Sequence, residues 1–144
     1  MQLSDDEVHY RLRLAEGFLE EASQDSRLGR WRSCAANSQM AVENAGKAAL
    51  ATLGPVGRTH NPAMLLQRAL DESRFPDAVR PQVERLIACA RLLGPAVHME
   101  TDYGDERAWR TPWELFDQPR AEQALALADQ AVALAKEVVQ ARPP

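Results

Sequence analysis

Residues 31–54, WRSCAANSQMAVENAGKAALATLG, constrain the fold more than any other stretch of the 144-residue chain. Wound as a helix, the segment is small and apolar almost all the way round. Trp31, Ala35, Val42, Gly46, Ala49 and Leu53 take one side, and Cys34, Ala41, Ala45 and Ala48 widen it. A helix that is apolar around most of its circumference has neighbours around most of it. The many Ala, Ser and Gly side chains let those neighbours approach closely. One narrow polar row interrupts the pattern. Gln39, Glu43 and Lys47 are spaced i, i+4, i+8 and stack on one face. The stretch therefore reads as the central helix of a bundle, its polar row either a buried network or the rim of a site.

The rest of the chain supplies the helices that such a core needs. Ser4 with Glu7 forms the pattern of a capping box, and Val8, Leu12, Ala15, Leu19 and Ala22 mark an apolar stripe ending near residues 26–29. Gly54-Pro55 stops the central helix. Asn61-Pro62 opens a short helix over residues 63–73. Pro76-Asp77 opens a fourth, with the stripe Val79, Val83, Leu86, Ile87, Ala90, Leu93 and Val97. Gly94-Pro95 lies inside that stripe, where proline removes a helical hydrogen bond, so a kink or an end is expected. Residues 99–118 show no periodicity and read as a long aromatic and acidic loop. It holds Tyr103, Trp109, Trp113 and Phe116, half of the chain's aromatic side chains, which are expected to plug the loop onto the core. Asp117 and Pro119 begin a last helix with Ala121, Ala124, Leu125, Ala128, Ala131, Val132, Ala135 and Val139 on one broad face. The expected fold is all-α, a single domain over residues 1–144. It is an up-and-down four-helix bundle with one additional short helix, five in all.

Composition narrows the function classes. A net charge of -4 argues against a general coat for nucleic acid or a membrane-hugging surface. Lys47 and Lys136 are the only lysines. Cys34 and Cys89 lack metal-ligand spacing and read as reduced core thiols, which together with an acidic N-terminus without an apolar run leads to an expected cytoplasmic location. No nucleophile elbow, phosphate loop, dinucleotide fingerprint or zinc spacing is present.

The sharpest pair is Arg91 and His98. Seven residues on one helix turn through about 700°, so the two would share a face beside the apolar stripe. A histidine that titrates near neutrality and a fixed cation suffice to cleave RNA phosphodiesters, one moving protons and the other stabilising phosphorane charge. The alternative is a histidine satisfied at a helix end and a solvated arginine. The run His98, Glu100, Asp102, Asp105 and Glu106 has no diagnostic spacing, and no metal and no cofactor are expected. Arg58-Thr59-His60-Asn61 could receive a phosphate at a helix start, but His60 is more simply read as a structural partner of Glu43.

With these residues in view, AANSQMAVENAGKAAL followed by LGPVGRTHNPAMLL resembles the HEPN (higher eukaryotes and prokaryotes nucleotide-binding) domain. The matching positions are Gln39, Glu43, Lys47 and His60. Thr101-Asp102-Tyr103-Gly104-Asp105 stands where many members carry an Arg-Tyr-Pro-Asp segment. The resemblance implies a homodimeric helical bundle, commonly paired with a small nucleotidyltransferase in toxin–antitoxin modules. Catalytic members are metal-independent endoribonucleases with an Arg-x(4–6)-His motif at the dimer interface, here Arg91 and His98. Three departures stand out: Leu92 follows the arginine where active members often carry a polar residue, Gly94-Pro95 interrupts the motif, and Asp102 replaces an arginine. They favour a dimeric nucleotide- or partner-binding subunit, its cleft formed by Gln39, Glu43, Lys47, His60, Asp102, Tyr103 and Asp105. The alternative is the endoribonuclease, acting on RNA with Arg91 and His98 of both protomers. Neither reading involves a membrane.

Overall fold

In a computed structural model, which describes residues 2–142 and side chains from residue 5 onward, the chain is a helical bundle wound around its second helix. Helix α1 (Gln2–Arg27) runs into α2 (Trp31–Ala51), and a loop leads to the short α3 (Pro62–Asp71). A 3-10 turn (Asp77–Val79) opens α4 (Arg80–Leu92), followed by α5 (Pro95–Tyr103), the single turn α6 (Pro112–Leu115) and the long α7 (Gln118–Gln140). Among the described residues there are thus six helices of more than one turn, with the single-turn α6 and the 3-10 turn besides, all-α as expected but with one helix more than the pattern suggested. The only strand-like pairing there is an isolated antiparallel bridge between Asp105 and Arg110.

Helix α2 touches every other helix of the bundle, as its all-round apolar surface requires. Fourteen of its residues are buried. Gly46 shows why small side chains are needed here. A Cβ at this position would lie 2.9 Å from Pro62 Cβ, so the first turn of α3 sits directly on the α2 backbone. The main core joins Ala15 of α1, Val42 of α2, Leu66 and Leu70 of α3, Val83, Leu86 and Ile87 of α4, and Val132 and Ala135 of α7.

Three expectations about elements need correction. Helix α1 already begins at Gln2, so Ser4 does not cap it; the Ser4 side chain lies outside the described residues. The Glu7 carboxylate is committed elsewhere, to Arg11 and to the backbone N–H of Val56. Helix α2 stops at Ala51, three residues before Gly54, whose φ of 148° turns the chain away. The Gly94-Pro95 step ends α4, one of the two outcomes expected of it. Leu93 and Gly94 leave helical geometry, and Pro95 takes the first position of a new helix, where its missing N–H costs nothing.

The segment read as a loop over 99–118 is largely ordered in short pieces. Its first quarter belongs to α5, and the Thr111–Glu114 capping box starts α6. Only Phe116 of the four aromatic side chains reaches the core. Trp109 is 88% exposed, Trp113 71% and Tyr103 60%, so the expected plug is confined to one ring. The reason is local. Gly104 at φ 70° reverses the chain after α5, and the Asp105–Arg110 bridge closes a small loop that carries Trp109 outward. No helix among the described residues is long and apolar enough to cross a membrane.

Candidate functional site

The polar row of α2 is buried along its whole length. Gln39 is 1% exposed, Glu43 2% and Lys47 7%. Buried charges persist when they are paired and hydrogen-bonded, and this row is. Lys47 Nζ donates to Glu43 Oε2 at 3.2 Å, one turn away. The other carboxylate oxygen, Oε1, accepts from His60 Nδ1 at 3.3 Å. One turn towards the N-terminus of α2, Gln39 Oε1 accepts from His98 Nδ1 at 3.2 Å.

Two histidines, one from the α2–α3 loop and one from α5, thus hang from successive turns of the same helix. Their rings stack, with centroids 5.8 Å apart and planes 16° from parallel. Because both Nδ1 atoms face oxygen acceptors, both carry hydrogen there, and in the neutral form both Nε2 atoms hold a lone pair. The His60 side chain is 73% exposed and that of His98 33%.

Helix α5 is held in place by α2 as well. Arg32 Nε donates to the Thr101 carbonyl at 2.7 Å, and Arg32 Nη2 to Asp102 Oδ1 at 3.3 Å. The other Asp102 oxygen lies 3.7 Å from His98 Nε2. Thr101, itself buried, donates back to the His98 carbonyl at 2.8 Å. The site is therefore one connected row: Lys47, Glu43, His60, His98 with Gln39, Asp102, Arg32.

Five of the sequence-predicted binding residues meet here, namely Gln39, Glu43, Lys47, His60 and Asp102. The structural reading of His60 as a partner of Glu43 is also correct. Tyr103 is exposed beyond the row. The Asp105 carboxylate is turned into its own loop, accepting from the N–H groups of Arg107 and Ala108.

Arg91 does not join His98. The shared face assumed one continuous helix, and the break at Gly94-Pro95 puts the two residues on α4 and α5. Arg91 Nη2 instead donates to Gln67 Oε1 of α3 at 3.2 Å and lines a groove of about 480 Å³ with Asn61, Met64 and Asp71. Arg32 was missed, although it stands seven residues before Gln39. That spacing sets it two turns away on the same face of α2. It also lines a second groove of about 490 Å³ with Arg30, Trp31 and Trp113, the indole ring centre lying 6.0 Å from its guanidinium carbon.

The carboxylates that could have served a cation are spent on other partners. Glu100 pairs with Arg120 of α7 at 2.9 Å, and Asp102 with Arg32. Among the described residues no three His, Cys, Asp or Glu side chains converge on a metal position. Both thiols are buried and free, and burial pushes both up from the ordinary thiol value.

Residues 8–138 match the family model described as the HEPN domain. No curated protein matches the chain.

Proposed function

The chain belongs to the HEPN family, and from that premise we propose that it is a cytoplasmic, dimeric subunit that binds a nucleotide or a small nucleotidyltransferase partner through the α2–α5 histidine site. The observation that carries this reading is the paired hanging of His60 and His98 on buried acceptors of α2, Glu43 and Gln39. Building such a row costs desolvation of two charged groups. It leaves the exposed His60 ring stacked on His98, whose Nε2 faces Asp102, at the edge of the row. The family's pairing with nucleotidyltransferases in toxin–antitoxin modules supports the partner half of the proposal. Calorimetric titration with adenine and guanine nucleotides, and co-purification with the product of an adjacent nucleotidyltransferase gene, test it. Absence of both interactions would remove the reading.

A second reading, metal-independent endoribonuclease, draws on a separate observation. Arg91 is exposed on α4 and His98 is part-exposed on α5, each reachable from outside and not in contact within one protomer. A site that needs both would have to be completed across a two-fold axis, which brings each residue near the other copy's partner residue. RNA cleavage in EDTA by the wild type, lost in Arg91→Ala and in His98→Ala, is the expected result. Cleavage that persists in His98→Ala would sink it.

A further inference from the structure

We propose that the cavity between the C-terminal end of α2 and α3 is a binding site for a small amphiphilic carboxylate, an apolar chain carrying one negative charge at its end.

The cavity measures about 390 Å³, and its walls are Leu50 and Leu53 at the end of α2, Val56 of the connecting loop, and Leu65 and Ala69 of α3. Sites of that size with mostly apolar walls and a few polar groups are the usual form of a small-molecule pocket. None of the lining residues belongs to the histidine row, so this is a separate place on the molecule. The loop wall is fixed before any ligand arrives. The Val56 N–H donates to the Glu7 carboxylate at 3.1 Å, and the Val56 side chain packs against the cluster of Val8, Ala51 and Val139.

The polar edge is built by the way α3 ends. Ser73 takes a φ of 56°, the left-handed conformation that helix ends usually leave to glycine. Its N–H donates to the Leu70 carbonyl, and the Arg74 N–H donates to that of Ala69. The reversal brings the Arg74 side chain back to α2, where Nη2 donates to the Leu53 carbonyl at 3.3 Å. Arg74 is thus tied by its backbone to one wall of the cavity and by its side chain to another. One bond to a carbonyl leaves the other guanidinium N–H groups free to donate, and it does not offset the charge.

Arg68 of α3 is exposed on the same rim, and among the described residues neither arginine has a carboxylate within ion-pair distance. Glu72 is the one acidic side chain among the lining residues described. Two cations and one anion leave a single positive charge, which a ligand with one negative charge balances. A carboxylate brings that charge with two oxygens that match a guanidinium fork, whereas a phosphate monoester brings nearly two charges at neutral pH. The apolar walls take the remainder of the ligand, since a chain that displaces water from them gains with each methylene buried.

The test is titration of the full chain with sodium octanoate, read by calorimetry and by amide chemical shifts. The shifts should centre on Gly54, Gly57 and Leu65. Each methylene removed from water is worth about a fourfold gain in affinity, so hexanoate should bind about fifteenfold more weakly than octanoate. 1-Octanol has the same chain without the charge and should bind about tenfold more weakly, the effect of losing a charge-assisted hydrogen bond. Arg74→Gln should weaken octanoate by about the same tenfold and leave octanol unchanged, which a merely damaged cavity would not do. Arg68→Gln repeats the comparison without touching the bond between Arg74 and Leu53. Arg107→Gln, on the loop after Gly104, should alter neither ligand. No octanoate binding at millimolar concentration overturns the proposal. So does octanol binding as tightly as octanoate, or a set of shifts that gathers outside residues 50–74.

Discussion

At the scale of single residues, Lys47 is the member of the row with least slack. Its ammonium is buried beside a Glu43 carboxylate that is itself 2% exposed. Lys47→Ala leaves that carboxylate buried with the His60 ring as its hydrogen-bond partner. Breaking a buried pair from one side costs about 3–5 kcal/mol, so urea denaturation should show a loss of that size, well above the cost of trimming an exposed lysine such as Lys136. The two thiols give a second residue-level prediction. Burial raises both, Cys34 against the Ala121 carbonyl and Cys89 beside Gln130. The folded protein thus keeps its thiols neutral above the ordinary value of 9.0, while unfolded thiols ionise there. Stability is fully present below that value and declines as pH rises past it. Cys34→Ala should flatten the alkaline limb of a stability–pH curve, and native protein should alkylate far more slowly than unfolded chain.

Elements pose the question of close approach and of where helices stop. Gly46→Val would push two methyl groups into Pro62 and separate α3 from α2. Overpacking of this kind costs about 1–3 kcal/mol, and chemical denaturation should register it; unchanged stability would mean that the α2–α3 contact is looser than the geometry indicates. A gentler effect belongs to α6. The Thr111 backbone N–H holds the Glu114 carboxylate below the usual range, and the Thr111 hydroxyl adds to it. Stability from that capping box is present above the ordinary carboxylate value and is lost as pH falls through the lowered one. Protection of the Thr111 and Glu114 amides against exchange, relative to the unfolded chain at the same pH, should therefore fall on acidification before protection in α7 does. Long elements were legible from the chain because their apolar stripes run over many turns: α1, α2 and α7 sit where periodicity puts them. Helix α5 was not, because it is nine residues long and buries only Thr101, too few positions for a period to register. The Gly94-Pro95 signal was visible, and its consequence for Arg91 and His98 lay in whether it bent the helix or ended it.

For the whole molecule, the same break decides how the site could be completed. Should the endoribonuclease reading hold, mixing Arg91→Ala with His98→Ala protein should restore cleavage that neither has alone. Each mixed dimer then contains one intact pair, and failure of the mixture would argue for a site within one protomer. Glu43, Lys47 and Gln39 were legible as a row because i, i+4 spacing is a property of one helix. His60 and His98 coming face to face was not, since it depends on how a loop and a later helix fold over α2. Arg32 fell between these cases, its spacing to Gln39 written in the chain but unread. The exposed indoles set apart by the Gly104 turn have a practical result. Trp109 and Trp113 stand in water, while Trp31 is partly buried against Ala22, Cys34 and Ala121, so two of the three indoles of the intact protein should emit nearly as far to the red as free indole. Heat or urea will change its fluorescence little, and a partner that settles on the 104–113 segment will shift the emission to the blue by more than folding itself does.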